Sequence, residues 1–218
     1  WPAIEQLGDK FSVAAVCNRS RNKAEAFAKK CKATVVYDTV DELLADKNVD
    51  AVVVAVPIEL NYQMARLAIA SGKHVLLEKP LAASLDEAKV LRDFLPQNNQ
   101  VLLLAENFRY HKAFTKIKEL IAANEIGEVI SFCWNDYKSL HTDNKYATPW
   151  RMNNQYPGGF IFDGGIHNVA ALRMIFGDVI TKVSATKSVN PAIGTIDTLI
   201  STLVFENGIT GNLNLCYS

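Results

Sequence analysis

The sequence predicts two domains: an α/β domain with a doubly wound parallel sheet over residues 1–107, and an α+β domain with a mostly antiparallel open sheet over residues 108–218. In the first domain, short apolar strands alternate with helical patterns, which is typical of right-handed βαβ units. After Asn107 this alternation stops. The closing segments predict strands instead, and the last two are joined by a turn at Asn207-Gly208.

Five apolar segments predict the strands of the first domain. They are FSVAAVCN (11–18), ATVVYD (33–38), DAVVVAVP (50–57), HVLLE (74–78) and VLLLAEN (101–107). The third is apolar on both faces, as is a central strand of a parallel sheet covered by helices. Ligands bind such sheets at the carboxyl ends of the strands. The residues that end or follow each segment, among them Pro57 and Glu106-Asn107, are therefore expected along one edge.

Capping residues and helix breakers predict the helices between these strands. Ser20 precedes a helical pattern as an N-cap. Ser84 and Glu87 have the spacing of a capping box. Gly72 is expected to end one helix and Pro96 to stop another.

The second domain begins with an amphipathic helix that ends near Gly127, followed by a strand over 128–137. A polar loop then runs to Gly159, and a loop of that length inside a compact domain is usually functional or disordered. A second helix is predicted from about residue 163 to residue 176. The closing strands are predicted over 179–188, 197–207 and 209–218.

Composition is that of a globular chain with balanced charge. Apolar residues make up 49% and charged residues 21% of the 218 residues, and Lys plus Arg equals Asp plus Glu at 23 each. This balance gives no electrostatic attraction toward nucleic acid or a membrane surface. No apolar run approaches the ~20 residues of a transmembrane helix, and no signal peptide is expected. The four cysteines form no CxxC pair and no His/Cys cluster, so we expect no metal site and a reducing, cytoplasmic location.

The first site candidate is Lys79, in the tripeptide Glu78-Lys79-Pro80. It leaves the carboxyl end of a buried strand, where substrate and cofactor would lie. A lysine at that place can donate a hydrogen bond to a substrate hydroxyl or carbonyl. The alternative is a surface salt bridge at the strand end, which contributes little.

The second candidate is the pair Asp163 and His167. They are four residues apart in a glycine-rich helical pattern, so a helix puts both on one face. A histidine can act as acid or base near neutral pH, and a carboxylate one turn away can hold its tautomer and orientation. The alternative is an N-terminal helix cap beside a histidine whose hydrogen bonds are satisfied.

The third candidate is Asn18-Arg19-Ser20, directly after the first strand segment. In a dinucleotide-binding fold an acid here binds the ribose 2′-hydroxyl, whereas an arginine accommodates a 2′-phosphate. Asn takes the place of the acid and Arg19 follows it, which favours NADP over NAD. The alternative is a solvated basic start of a helix.

Four segments together resemble the Gfo/Idh/MocA oxidoreductase family. They are EKP (78–80), AENFRY (105–110), TPWR (148–151) and GGFIFDGGIH (158–167). The resemblance covers nearly the whole chain and is closest to fungal NADP(H)-dependent members. It implies a Rossmann-type dinucleotide-binding domain followed by an open antiparallel sheet, which commonly builds a homodimer or higher homo-oligomer.

The resemblance also implies residue roles. Lys79 would be the catalytic or substrate-binding lysine, Asp163 would orient the substrate, and His167 would be the general acid/base. The cofactor would be held by residues at the strand ends and in the polar loop. These are Asn18, Arg19, Ser20, Pro57, Glu78, Lys79, Asn107, Trp150 and Arg151.

The sequence departs from the family pattern at two places. The first strand and its GxGxxG phosphate-binding turn, expected before Trp1, are absent from this sequence, so we expect the chain to be a fragment. Family members often carry a TPxxxH stretch, with a histidine four residues after the proline. The proline at that place here is Pro57, and the residue four positions later is Asn61.

The leading hypothesis is an NADP(H)-dependent oxidoreductase that transfers a hydride between nicotinamide and a small polyol, sugar or carbonyl substrate. The alternative is a non-catalytic regulatory protein of the same fold that senses a dinucleotide, because fold does not fix function. The presence of Lys79, Asp163 and His167 together favours the enzyme, since a sensor has no need of all three.

Overall fold

A computed structural model describes residues 2–94, 99–139, 148, 158–191 and 194–217 of the chain. It has two compact units whose chain segments alternate. The first unit comprises Trp1–Ala55, Gln63–Leu77 and Val90–Leu103, and the second comprises Val56–Tyr62, Glu78–Lys89 and Leu104–Ser218. Two strand-end segments thus group with the second unit, and the division at residues 107/108 stays a prediction.

The first unit contains five short strands, each inside a predicted segment. They are β1 (Ala15–Cys17), β2 (Val35–Tyr37), β3 (Ala51–Val54), β4 (His74–Leu77) and β5 (Leu102–Leu104). Pairs β1–β2 and β3–β4 are parallel, and β5 lies next to β4. The predicted Rossmann-type domain is confirmed, and its described strands form two sheets, β1-β2 and β3-β4-β5.

The interruption between the two sheets falls at an informative place. The strand order of a dinucleotide-binding fold is 3-2-1-4-5-6. If β1 and β2 take the second and third places of this order, and β3 to β5 the fourth to sixth, the ladder of the described strands breaks at the place of the first strand.

Residues 2–94 contain five α-helices. They are α1 (Pro2–Glu5), α2 (Arg21–Cys31), α3 (Val40–Ala45), α4 (Ile58–Ala70) and α5 (Leu85–Asp93). Thr39 and Glu42 form a reciprocal capping box at α3, and Ser84 Oγ accepts the Glu87 N–H at 3.2 Å. Ser20 occupies the N-cap position of α2, but its side chain makes no capping bond. Instead its own N–H donates to Asn18 Oδ1, which forms a local turn.

From Asn107 onward, the described residues of the second unit form two α-helices and a four-stranded sheet of order β6-β9-β8-β7. Its elements are α6 (Lys112–Ala122), β6 (Ser131–Tyr137), α7 (Gly159–Phe176), β7 (Ile180–Asn190), β8 (Thr195–Phe205) and β9 (Thr210–Cys216), and a short 3-10 helix over Asn107–Tyr110 precedes α6. Pairs β7–β8 and β8–β9 are antiparallel, and β6–β9 is parallel. The predicted mostly antiparallel sheet is confirmed.

Helix α7 covers one face of this sheet and supplies the core of the second unit. Phe160 and Leu172 of the helix pack with Leu203, Phe205 and Leu215 of the sheet. Because side chains alternate between the faces of a strand, the neighbouring residues of β8 and β9 lie on the opposite, open face. The core therefore fixes α7 to the sheet along its length, which matters because α7 carries two of the predicted site residues.

Candidate active site

The Lys79 side chain is joined to helix α7. Its Nζ donates to Asp163 Oδ1 at 2.7 Å and to the Asp163 carbonyl at 2.9 Å. The two side chains are only 13% and 6% exposed. The alternative of a surface salt bridge between Glu78 and Lys79 is therefore wrong, and the partner of Lys79 is a buried carboxylate 84 residues later in the chain.

Asn61 holds the backbone on both sides of Lys79. Its side chain is fully buried, and its Nδ2 donates to the Glu78 carbonyl at 3.0 Å and to the Pro80 carbonyl at 2.6 Å. An amide that spans two carbonyls restricts the segment between them, because each buried carbonyl requires a donor. The departure noted at Asn61 in the sequence thus has a structural role beside the lysine.

Helix α7 begins at Gly159, four residues before the predicted start at 163, because two glycines allow a close approach there. Gly158 and Gly159 have φ values of 103° and 54°, which L side chains rarely adopt. A Cβ at Gly159 would lie 2.8 Å from the backbone nitrogen of Ile196 and would overlap Thr195. The glycines let α7 start against β8, so that Asp163 lies in the first turns of the helix and His167 one turn further.

His167 is held by Glu106, a residue to which the sequence pattern assigned no role. Glu106 Oε1 lies 2.7 Å from His167 Nδ1 and accepts the Phe108 N–H at 3.0 Å. The Phe108 ring stacks on the imidazole, with centroids 4.8 Å apart and an interplanar angle of 23°. The position of Glu106, at the end of a predicted strand segment, was the available signal, but nothing in the sequence links it to His167.

The Glu106 carboxyl is ionised at neutral pH. Burial raises its pKa, but the hydrogen bonds from His167 and Phe108, together with the positive charges of His167 and Lys79, outweigh burial and lower the pKa below its ordinary value of 4.5. Asp163 and His167 lie one turn apart on α7, so the Lys79–Asp163 and Glu106–His167 pairs share one neighbourhood. Two acids and two bases from distant parts of the sequence therefore meet on the second unit.

This arrangement can perform acid–base chemistry. The ammonium of Lys79 is a hydrogen-bond donor held in place by Asp163. The imidazole of His167 has one nitrogen bound to a carboxylate, which leaves its other nitrogen to exchange a proton. The described residues contain no group of three or more His, Cys, Asp or Glu side chains that could hold a metal ion.

The predicted cofactor residues lie in both units and differ in exposure. Asn18 and Arg19 are exposed at the end of β1, while the neighbouring Arg21 is bonded to Glu25 and Asp38. Of the two guanidinium groups at this strand end, that of Arg19 forms no ion pair with the described residues, whereas that of Arg21 forms two.

The remaining cofactor candidates belong to the second unit. Pro57 directly precedes α4, Asn107 is the exposed first residue of the 3-10 helix, and the exposed Glu78 accepts the Lys79 N–H at 3.2 Å. Trp150 and Arg151 lie outside the described residues. No helix in the described parts of the chain has the length and hydropathy needed to span a membrane.

Family models match both halves of the chain. The model GFO_IDH_MocA, described as an oxidoreductase family with an NAD-binding Rossmann fold, matches residues 1–105. The model of the GFO/IDH/MocA C-terminal domain matches residues 114–218.

Individual relatives match along nearly the whole chain. YMR315W of Saccharomyces cerevisiae is 34% identical over 94% of this chain and 59% of its own length. D-xylose 1-dehydrogenase (NADP(+)) 2 of Haloferax volcanii is 30% identical over 97% of this chain and 63% of its own length. The crystal structure of an oxidoreductase from Thermotoga maritima has a TM-score of 0.95 and 37% identity over 100% of this chain and 67% of that one. The chain spans about three-fifths of the length of these two curated relatives.

Proposed function

The chain belongs to the Gfo/Idh/MocA oxidoreductase family, and on that premise we propose that the protein is an NADP(H)-dependent oxidoreductase. It transfers a hydride between nicotinamide and a small polyol, sugar or carbonyl compound. The observation that carries the proposal is the buried Lys79–Asp163 ion pair beside His167. A buried ion pair close to a histidine–carboxylate pair is typical of a catalytic site, because perturbed titratable groups cluster there.

In the direction of alcohol oxidation, the residues of this chain handle the proton. Nicotinamide, when bound, accepts the hydride with its two electrons. His167 takes the proton of the substrate hydroxyl, and the oxygen lone pair that is freed forms the carbonyl. Lys79 donates a hydrogen bond to that oxygen, and Asp163 holds the ammonium in place. In the reverse direction His167 returns the proton to the alkoxide oxygen.

Substrate turnover in the full-length protein tests this proposal. A panel of polyols, sugars and aldehydes is assayed for NADPH formation or consumption, with Lys79→Met and His167→Ala beside the wild type. We expect kcat to fall by about 10²- to 10⁴-fold in each variant. Lys116→Met, at an exposed lysine of α6, is the matched control and keeps wild-type turnover.

Two results would contradict the proposed oxidoreductase activity. Near-wild-type turnover in both variants would remove the assigned residues from the reaction. Tight NADPH binding with no turnover of any panel member would favour the dinucleotide-sensing regulator instead.

The preference for NADP rests on the exposed end of β1. Arg19 offers a guanidinium to a 2′-phosphate, and Asn18 supplies no carboxylate that would repel it. The Haloferax relative is named for NADP(+), whereas the family model is described as NAD-binding. Arg19→Glu is expected to weaken NADPH binding about tenfold or more and to leave NADH binding unchanged. Equal losses for both cofactors, measured by fluorescence titration, would refute this role.

We also propose that the open face of the second sheet forms a homodimer or higher homo-oligomer. Three cross-strand rows on this face contain no charged residue. They are Ser184, Thr202, Asn212 and Cys133; Thr186, Ile200, Asn214 and Asn135; and Ser188, Thr198, Cys216 and Tyr137. Depletion of charge is the compositional mark of an interface core, and exposed surfaces normally intersperse both signs.

Light scattering tests the assembly. Ile200→Lys puts a charge in the middle row and is expected to dissociate the oligomer, whereas Ile126→Lys, at an exposed isoleucine outside the sheet, leaves it assembled. A wild-type monomer would refute the proposal.

We place the protein in the cytoplasm, because all four cysteines are free thiols, and cell fractionation checks this location.

A further inference from the structure

We infer that Glu106 is a positioning residue for the reaction: it keeps a proton on Nδ1 of His167, so that Nε2 alone exchanges a proton with the substrate. The inference rests on the proposed function, because it specifies how the general acid/base of that site is held. Glu106 itself contacts His167 and Phe108.

The tautomer follows from the chemistry of the two groups. An ionised carboxylate only accepts hydrogen bonds. The 2.7 Å contact between Glu106 Oε1 and His167 Nδ1 therefore requires the proton on Nδ1. In the neutral imidazole the lone pair then lies on Nε2, which is the form that a general base needs.

The orientation of the ring is fixed from two directions. Phe108 stacks on the imidazole face, and its backbone N–H donates to the same Glu106 oxygen that accepts from His167. Rotation of the imidazole by 180° would put a carbon opposite the carboxylate and break the bond. The short 3-10 helix thus places the carboxylate and the stacking ring together, and His167 is held in one pose.

Capping of the 3-10 helix does not by itself explain Glu106. A cap needs one side-chain oxygen near an N–H, and short polar side chains at a surface supply it. Glu106 is only 4% exposed, and its Oε2 is buried with no hydrogen-bond partner among the residues that the structure describes. A cap alone gives no reason to bury the second oxygen of a carboxylate, whereas the bond to His167 requires a carboxylate at this buried position.

The first test is spectroscopic and needs no activity. In the full-length protein with ¹⁵N-labelled histidine, the His167 signals are identified by their loss in His167→Gln. We expect neutral His167 in the wild type to show a protonated Nδ1 and an unprotonated Nε2. A protonated Nε2 in the wild type would overturn the inference, whether or not any Glu106 variant folds.

The second test uses Glu106→Gln, which keeps the size of the side chain and an oxygen for the Phe108 N–H. The amide can accept from or donate to Nδ1, so the ring is no longer confined to one tautomer. We expect kcat to fall about 10- to 100-fold, a part of the total acid–base contribution, with little change in KM, and both tautomers to appear in the spectrum. Glu119→Gln, at an exposed residue of α6, is the matched control and retains wild-type values.

The outcomes separate the two proposals. If Glu106→Gln turns over at the wild-type rate while His167→Ala is inactive, the positioning role is wrong and the proposed function stands. If His167→Ala keeps its turnover, the proposed function is wrong, and the positioning role falls with it.

Discussion

Lys73 and Lys79 flank opposite ends of strand β4, and both amines are withdrawn from water. Lys73 is 9% exposed, and its Nζ donates at 2.7 Å to each of two backbone carbonyls, those of Asp46 and Val49. The Nζ of Lys79 instead has a carboxylate partner, Asp163. The first lysine joins the segment between α3 and β3 to the start of β4. The second lies beside groups that can exchange protons.

His74, which follows Lys73, and His167, which lies beside the Lys79–Asp163 pair, also differ in the partner of their Nδ1 atoms. His74 Nδ1 accepts the Val101 N–H at 3.0 Å, so a neutral His74 carries its proton on Nε2. His167 Nδ1 faces a carboxylate and carries the proton itself. Burial and residue type therefore do not distinguish Lys73 from Lys79. The distinguishing features are the carboxyl end of the strand and a charged partner.

The strongest test of the difference between Lys73 and Lys79 combines two substitutions, Lys79→Met and Asp163→Asn. Lys79→Met leaves the Asp163 carboxylate buried without its ammonium, and we expect the free energy of unfolding to fall by about 3 kcal/mol. Adding Asp163→Asn removes the buried charge and restores most of that stability, but turnover stays lost because no donor faces the substrate oxygen. Urea unfolding and steady-state kinetics on the same preparations measure both effects. Recovery of turnover in the double variant would contradict the assignment.

The matching substitution at the amino end of β4 is Lys73→Met. Two buried carbonyls lose a charged donor, so the free energy of unfolding is expected to fall by about 2 kcal/mol. Turnover per folded molecule is expected to stay at the wild-type value, since the amine bonds only to backbone carbonyls remote in sequence from the site residues. A loss of kcat in folded protein would show that the two lysines do not differ as described.

A smaller effect is expected from Asn61→Ala. Two carbonyls beside Lys79 lose their donor, which costs about 1–2 kcal/mol of unfolding free energy. Because the substitution loosens the backbone that carries Lys79, kcat should fall as well, by less than in Lys79→Met. An unchanged kcat, with stability reduced, would limit Asn61 to a structural role.

The smallest effect is on the pH dependence of stability. The folded-state pKa of Glu106 lies below its ordinary value of 4.5, so its carboxylate stabilises the fold at pH values above about 4.5. That stabilisation is lost as the pH falls through the lower, folded-state pKa. The wild type should therefore lose more unfolding free energy than Glu106→Gln between pH 5 and pH 3. Equal losses in urea titrations would show that the carboxylate is not stabilised in the folded state.

Much of the fold followed from local patterns in the sequence. The strands of the first unit lie inside the predicted apolar segments, and the Asn207-Gly208 turn joins β8 to β9 as predicted. Helix α7 started earlier than predicted because Gly158 and Gly159, which discourage helix, are required for close approach to Thr195 and Ile196. Local propensity cannot reveal that contact.

The site could be predicted in its members but not in its pairing. Lys79, Asp163 and His167 do occur together, yet the sequence suggested that Asp163, one helical turn away, would hold the histidine. In the structure Asp163 holds Lys79, and Glu106 holds His167. The partners are 84 and 61 residues apart in the chain, and helical spacing carries no information about contacts at that separation.

The break between β1 and β3 leaves strand edges available for pairing among the described residues. Among the described strands, β1 pairs with β2 alone and β3 with β4 alone, so each presents one edge of unused amide and carbonyl groups. The sequence of β3, AVVV, has no charge to discourage pairing, and Val53 is 54% exposed. An edge of this kind accepts a further strand, whether from another segment of the same protein or from another chain. The uncharged edge of β3 is therefore the place, among the described strands, where an added strand would pair most readily.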